Sequence, residues 1–408
     1  MSKRRVVVTG LGLESPIGSS LDMVSEALRA GRHGIRHVDE WRPYGVETRV
    51  GGVVADVDQS ICSRKQLRAM GKVARLAVSA THAAVKDAGL GEEIVRHPRT
   101  ALFYGSTDGS TGAAEDYYRK LYTTNSFSGL LSSMYLKFMS HTCAANLAQV
   151  FGVTGRVLPI CSACTSASQA IGEGYHAIAS GREDVAIAGG AEELHVTVAG
   201  VFDLMLATSV KYNDAPELTP RPFDAARDGL VVGEGAGTLV LESWEHAQAR
   251  GARVHAELLG YGTNCDGVHL TSPSPDGMSG AMRLALAEAG VPSDRLDYVN
   301  AHATGTEIGD IAESIATLAA IGPKVPISST KGHTGHTLGG CGAIESIFVI
   351  AMLEHGFLPP TRNLERVDER CAALNYLTGE VRSARPRLVM NNNFAFGGIN
   401  TSLVFGHI

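Results

Sequence analysis

At 408 residues, 44% hydrophobic and 19% charged, the chain has the make-up of an ordinary globular enzyme and is long enough for two domain-sized halves. A net charge of −6 leaves no global basic field, which argues against nucleic acid as the main ligand. The seven cysteines (62, 143, 161, 164, 265, 341 and 371) are odd in number, scattered, and without the paired spacing of a zinc site, so the expectation is a reduced, cytoplasmic protein with no metal. The N-terminal apolar run stops at Gly10, too short for a signal-peptide core, and no stretch approaches the roughly 20 apolar residues of a membrane span.

In chain order, the first strand-like segment is Arg5-Val-Val-Val-Thr-Gly-Leu-Gly12. A basic cluster follows at Arg64, Lys65 and Arg68, which by itself reads as a solvated face. The next strand, Thr100–Gly105, leads into residues 108–140, where Tyr117, Tyr118, Tyr122, Phe127, Tyr135 and Phe138 sit among few strand signals, predicting a mostly helical cap that shapes a substrate pocket. In Leu158-Pro-Ile-Cys-Ser-Ala-Cys164-Thr-Ser-Ala, a short strand turns through small residues into an Ala/Gly-rich helix. A thiol mounted at such a corner meets the positive end of a helix dipole, so its thiolate is expected to be favoured. The strand Val185–Gly190, a turn-rich stretch from Arg221 through Gly237, and the strand Thr238–Glu242 close the first half. The Gly233–Gly237 stretch lacks the Lys-Ser/Thr that completes a phosphate loop, and reads as tight packing.

The second half repeats the order. His255–Gly262 resembles Arg5–Gly12, Asp297–His302 resembles Thr100–Gly105, Val325-Pro-Ile-Ser-Ser-Thr-Lys331 lies over Leu158–Cys164, and Leu388–Asn393 pairs with Val185–Gly190. Four matches in register order predict two related α/β halves, 1–250 and 251–408, with buried strands in a layered architecture. On that symmetry the small-residue helix after Cys164 and the stretch from Gly342 to Ala351 are mates at the centre. Cys164, His302 and His336, each in a small-residue loop after an apolar run, then converge on one Cys-His-His acyl-transfer site. Cys143, Cys161, Cys265 and Cys341 read as small packed residues, and His333 as structural.

The segments Val-Thr-Gly-Leu-Gly (8–12), Ser-Ala-Cys164, Ala-Gly-Gly-Ala-Glu-Glu (188–193), Arg221-Pro-Phe-Asp, Gly233-Glu-Gly-Ala-Gly, His302-Ala-Thr-Gly-Thr, Lys331-Gly-His-Thr-Gly-His336 and Asn393-Phe-Ala-Phe-Gly-Gly-Ile-Asn400 together resemble the β-ketoacyl-acyl-carrier-protein synthases of the thiolase superfamily, over nearly the whole chain. The resemblance is to the synthase I/II type, because His336 stands where the priming synthases have Asn. It implies a five-layered αβαβα sandwich, commonly a dimer, that condenses an acyl chain on Cys164 with a malonyl thioester. It also implies roles: an oxyanion hole from the backbones of Cys164 and Phe396; enolate donors in His302 and His336; Lys331 near them with Glu345 as partner; Thr304, Thr306 and Thr271 on the phosphopantetheine arm; Phe394 in the substrate loop; Asp310 and Glu313 as framework acids. No cofactor is implied beyond the phosphopantetheine of the acyl carrier protein, whose docking falls to Arg64, Lys65 and Arg68. A chain-length-factor-like partner subunit is the alternative, although such subunits lack the nucleophile. Asp108 stands where the family has a small or aliphatic residue lining the acyl pocket. With the aromatic cap and Val201–Ser209, it points toward the aryl-polyene subgroup, with housekeeping fatty-acid elongation as the competitor.

Overall fold

The computed structural model describes residues 3–55 and 57–408. Ten strands carry the architecture: β1 (Val6–Glu14), β2 (Thr100–Gly105), β3 (Val157–Ile160), β4 (Val185–Glu192), β5 (Gly235–Ser243), β6 (Ala256–Cys265), β7 (Tyr298–Asn300), β8 (Pro326–Ser328), β9 (Leu388–Ala395) and β10 (Ile399–Gly406). The first half runs β1-β5-β4-β2-β3 and the second β6-β10-β9-β7-β8, with Asn375–Tyr376 added at the far edge. Each strand thus has its mate five positions on, and the four sequence matches fall on β1/β6, β2/β7, β3/β8 and β4/β9. The halves join where β1 pairs antiparallel with β6, Val6 opposite Leu258 and Val8 opposite Ala256.

Nine helices complete the frame: α1 (Lys72–Asp87), α2 (Thr111–Thr124), α3 (Ser132–Leu136), α4 (Thr142–Phe151), α5 (Ser166–Ala179), α6 (Val196–Leu204), α7 (Pro275–Ala289), α8 (Glu307–Ala320) and α9 (Cys341–His355). Helices α5 and α9 pack on each other and on both half-sheets; α1 and α4 cover the outer face of the first half, α7 the outer face of the second, and α8 lies on α7. The result is the αβαβα layering that the resemblance implied.

Small residues explain why α5 and α9 are the middle layer. A side chain at Gly342 would meet Ser168 Oγ at 2.1 Å and Ser168 N at 2.8 Å, so only glycine lets the two helices approach this closely. Ile344, Ile347, Phe348 and Ile350 of α9 then fill the core with Ala170, Ile171 and Tyr175 of α5, all 1% exposed or less. The Leu338–His355 stretch has a mean hydropathy of 1.3 over 18 residues, and 89% of it is buried inside the fold, as expected of a central core helix.

Residues 108–140 form α2 and α3, helical as expected, with Tyr117, Tyr118, Tyr122, Tyr135 and Phe138 in mutual ring contact. Their place differs from the expectation. Tyr118, Tyr122, Phe127 and Tyr135 are exposed, and none of the six aromatics lines the cavity described below. Helix α2 buries none of its own residues, so within one chain it stands on the surface.

Candidate active site

The strands β2, β3 and β4 run parallel, as do β7, β8 and β9, and the site lies beyond their C-terminal ends, where open α/β sheets bind ligands. The corner after β3 is held by hydroxyls. Ser162 N donates to Ser166 Oγ (2.9 Å), Ser166 Oγ to the Ala163 carbonyl (2.7 Å), and Thr165 Oγ1 to the Ser162 carbonyl (2.7 Å). This network fixes Ala163 at φ +51°, a left-handed conformation costing about 1–2 kcal/mol, and turns Cys164 out at the foot of α5.

The matching corner after β8 is longer and carries charge. Lys331 Nζ donates to Glu345 Oε1 at 2.5 Å, and Asn393 Nδ2 to Glu345 Oε2 at 2.7 Å, all buried. The backbone of His336 is stitched to the Gly-rich stretch: its N–H donates to the Val231 carbonyl (2.7 Å), and Gly233 N donates to its carbonyl (2.8 Å). A side chain at Gly233 would strike the Thr334 carbonyl at 2.5 Å, the tight packing expected there. His302 is set by Glu313, whose carboxylate accepts the N–H groups of His302 (2.8 Å) and Ala303 (2.6 Å). Asp310 accepts from Gly305 N and Phe223 N, and lies 3.7 Å from Arg227. Both acids therefore frame the His302 loop, as the resemblance implied.

These elements bring the three expected side chains together. His336 Nε2 lies 3.0 Å from Cys164 Sγ, the His302 and His336 rings are 5.0 Å apart and edge-on, and the donor atoms of all three residues fall within 4.8 Å of one another. Nδ1 of each ring is buried without a hydrogen-bond partner, so neither tautomer is fixed from behind. Burial first, then the Lys331 ammonium, depresses both imidazoles well below their ordinary range, and both are neutral. At Lys331 burial opposes the charge, but Glu345 outweighs it and raises the ammonium pKa. A Cys-His-His set this close could also ligate a soft divalent ion, yet the buried ammonium beside it opposes a second cation.

The thiol corrects one expectation. Burial pushes Cys164 up to about 12, against the pull of Lys331 and of its own backbone N–H. Burial thus disfavours the thiolate, and α5 begins only at Ser166, two residues beyond the sulfur. The geometry suits a neutral thiol handing its proton to a neutral imidazole as it attacks.

A cavity of about 310 Å³ opens onto this trio, and Thr271, Thr304, Thr306, Phe394 and Phe396 line it with Cys164, His302 and His336. Phe396 is 37% exposed, its N–H donates to no acceptor among the described residues, and its ring packs 5.6 Å from Phe202. Lys331 and Glu345 lie behind the wall and act on it by charge. Asp108 does not line the cavity: its residue is exposed and its backbone N–H donates to Glu192 (3.2 Å), although burial of the carboxyl and the Glu193 charge raise its pKa. The acyl-pocket role expected for it has no support from the lining of this cavity, although its charge reaches Cys164 and Glu192. Arg64, Lys65 and Arg68 are exposed on and beside a capped helical turn and form no ion pair among the described residues; none lines the cavity.

Of the cysteines expected to be packed, Cys143 and Cys341 are buried, but Cys161, just past β3, and Cys265, the last residue of β6, are exposed. Cys341 does more than fill space, its Sγ donating to the Cys164 carbonyl at 3.2 Å. His333 is structural, as expected: its Nδ1 meets the Arg32 carbonyl at 2.7 Å, and burial depresses it to about 4. Sequence reasoning missed Phe202, Met205, Leu230 and Met278, which give the cavity its apolar wall; only their hydrophobicity could have signalled them.

A five-layered αβαβα sandwich with a buried Cys-His-His cluster defines the thiolase-like condensing-enzyme class. The β-ketoacyl synthase N-terminal domain profile matches residues 3–247 and the C-terminal domain profile residues 255–365. A 3-oxoacyl-[acyl-carrier-protein] synthase 1 of Haemophilus influenzae is 37% identical, over 98% of each chain. The crystal structure of a β-ketoacyl synthase from Burkholderia phymatum is 46% identical, with a TM-score of 0.96 over 99% of this chain and 100% of that one. The ishigamide ketosynthase/chain length factor structure is 33% identical, with a TM-score of 0.94 over the full length of both. The chain belongs to the β-ketoacyl synthase family.

Proposed function

We propose that this protein is an acyltransferase that condenses an acyl chain held on Cys164 with a malonyl group on acyl carrier protein, releasing carbon dioxide and forming a β-ketoacyl-acyl-carrier-protein. The observation that carries the reading is the 3.0 Å contact of Cys164 Sγ with a neutral His336 Nε2 at an apolar cavity that His302 shares. In the first step the Cys164 proton passes to His336 as Sγ attacks the thioester carbonyl. The carbon–sulfur bond to the carrier arm breaks, and the leaving sulfur takes up a proton from solvent, so His336 Nε2 keeps the Cys164 proton for the next step. Backbone N–H groups of Cys164 and Phe396 hold the oxyanion.

In the second step the malonyl group loses carbon dioxide, and the electron pair of that bond becomes an enolate stabilised by ring N–H donors from His302 and His336. The enolate carbon attacks the acyl-cysteine carbonyl, a carbon–carbon bond forms, and Cys164 leaves and is reprotonated. Thr271, Thr304 and Thr306 offer hydroxyls to the amides of the arm, and Arg64, Lys65 and Arg68 steer the acidic carrier toward the site. The protein works as a dimer in the cytoplasm, a setting that suits seven unpaired cysteines. Fatty-acid elongation is the better-supported pathway, since Asp108 stands off the cavity and curated relatives are synthases of that kind.

Purified protein mixed with acyl- and malonyl-loaded carrier should yield β-ketoacyl-carrier and carbon dioxide in equal amounts, read by mass spectrometry. Decarboxylation with no β-ketoacyl product would instead describe a partner subunit without condensing activity.

A further inference from the structure

Cys341, the first residue of α9, lies where three segments of the site cross, and it is buried. Its Sγ donates to the Cys164 carbonyl at 3.2 Å and accepts from Asn393 Nδ2 at 3.4 Å. Burial, then the Glu345 charge, raise the thiol well above its ordinary range, so the sulfur keeps its proton and fills both roles at once. Among the described residues the thiol is the one donor to that carbonyl. Gln169 N reaches back to the Thr165 carbonyl at the start of α5, and no backbone N–H reaches as far as the carbonyl of Cys164.

Asn393 extends the connection in two directions. One Nδ2 proton goes to Cys341 and the other to Glu345 Oε2 (2.7 Å), whose second oxygen holds Lys331; Asn393 Oδ1 accepts from Ser168 Oγ at 2.6 Å. Asn393 stands on β9, three residues before Phe396. The sulfur therefore joins the nucleophile, the strand that leads to Phe396, and the buried ion pair of the corner after β8. An apolar side chain of the same size would fill the space and leave the Cys164 carbonyl and one Asn393 proton unpaired in the interior.

We propose that Cys341 is a positioning residue for acyl transfer: its thiol fixes the Cys164 carbonyl, and through it the direction of the Cys164 N–H that holds the oxyanion. The proposal rests on the reading of the site given above. With Ala163 set at φ +51° on one side and the carbonyl pinned on the other, the backbone is fixed on both sides of the nucleophile. An N–H donor stabilises an oxyanion only while it is aimed at the place where the charge develops. Loss of the thiol then weakens acyl transfer and spares a reaction that makes no oxyanion.

The test compares full-length Cys341→Ala and Cys341→Ser with wild type. Single-turnover acylation of Cys164 by a saturating acyl-pantetheine thioester should slow by about three- to tenfold in Cys341→Ala, the effect of one lost neutral hydrogen bond, with the half-saturating concentration unchanged. Cys341→Ser, whose hydroxyl can donate to the same carbonyl, should recover most of that loss. Alkylation of Cys164 by iodoacetamide, a displacement at carbon with no oxyanion, should change far less in both variants. Equal acylation by all three proteins overturns the proposal, as does a loss of the same size in alkylation, which would make Cys341 a packing residue only. The infrared S–H band of Cys341, isolated as the difference between wild type and Cys341→Ser, reads the bond in the resting protein. A band below the frequency of a free thiol is expected, and a band at the free position overturns the proposal. Wild-type protein that takes no acyl group at all overturns the reading of the function and the proposal with it; wild type acylated no faster than Cys341→Ala overturns the proposal alone.

Discussion

The corners after β3 and β8 occupy equivalent places in a duplicated frame and have opposite electrical characters. The first, from Cys161 to Ser166, is tied by three hydrogen bonds of the Thr165 and Ser166 hydroxyls, contains no charged side chain, and presents a thiol whose pKa burial raises. The second, from Ser329 to Gly340, contains the buried Lys331, and burial, reinforced by its charge, lowers the pKa of the His336 imidazole. The difference divides the labour of one proton transfer. The half that supplies the nucleophile raises its pKa by burial, and the half that receives the proton lowers the pKa of its base.

The most severe break in that arrangement is loss of the thiol. Cys164→Ala should abolish condensation with an unchanged melting temperature, because the corner is made by hydroxyls and a small side chain fits it. Product formation at a measurable rate by this variant would show that the nucleophile lies elsewhere. Removing a ring from the charged half should be nearly as damaging to the second step. His302→Ala and His336→Ala are each expected to lower the condensation rate by about 10²–10³, the usual effect of deleting one donor to a developing oxyanion, while leaving some self-acylation. Wild-type product formation by either would separate that ring from the chemistry.

Next in size is the ion pair behind the wall. Lys331→Met leaves the Glu345 carboxylate buried and unpaired, and should cost about 3–5 kcal/mol in denaturant unfolding. Much of that should return in Lys331→Met/Glu345→Gln. A single variant as stable as wild type would mean that the second corner does not depend on its charge.

The layered fold, the duplication and the three reacting side chains were legible in the chain because each rests on local pattern: short Val/Ile-rich runs, small residues at helical spacing, and histidines in Gly-rich turns. What was not legible depends on packing between distant segments. The helix-end argument for a thiolate at Cys164 left out the desolvation imposed when α5 is clamped between α9 and both half-sheets, which raises the thiol's pKa. Asp108 was placed in the pocket by the family resemblance; in the structure Glu192 accepts from Ser106 Oγ, Thr107 N and Asp108 N, and Asp108 does not line the cavity around Cys164. The aromatic residues of the cap were expected to shape the pocket and stand on the surface, although Glu193, Tyr44 and His195 tie the first turns of α2 to the body. The exposed Leu204 and Leu206 stood in the Val201–Ser209 stretch only as a likeness to a subgroup, because hydrophobicity alone does not say which side of a helix end faces water.

The contrast between the corners can be sharpened by pH. Because burial raises the Cys164 thiol, its thiolate fraction should grow about tenfold per unit of pH from about 7 to 10, and alkylation by iodoacetamide should follow it without levelling. A plateau below about pH 8 would mean that the thiolate is already favoured at rest. The smallest effect is expected at the exposed basic cluster. Charge reversal at Lys65 and Arg68 should raise the KM for carrier-bound substrate only a few-fold, and the effect should vanish at high salt. An equal rise for a short pantetheine thioester would remove these residues from carrier recognition.

The central claim, that a protonated Cys164 beside His336 takes the acyl chain, is tested most directly by locating the chain. Wild-type protein incubated with acyl-loaded carrier, digested and read by peptide mass spectrometry should carry one acyl group on the peptide containing Cys161 and Cys164, with fragmentation placing it on Cys164. The same experiment on Cys164→Ala should give no adduct. An acyl group on Cys161 or Cys341, or an undiminished adduct in the variant, would contradict the account.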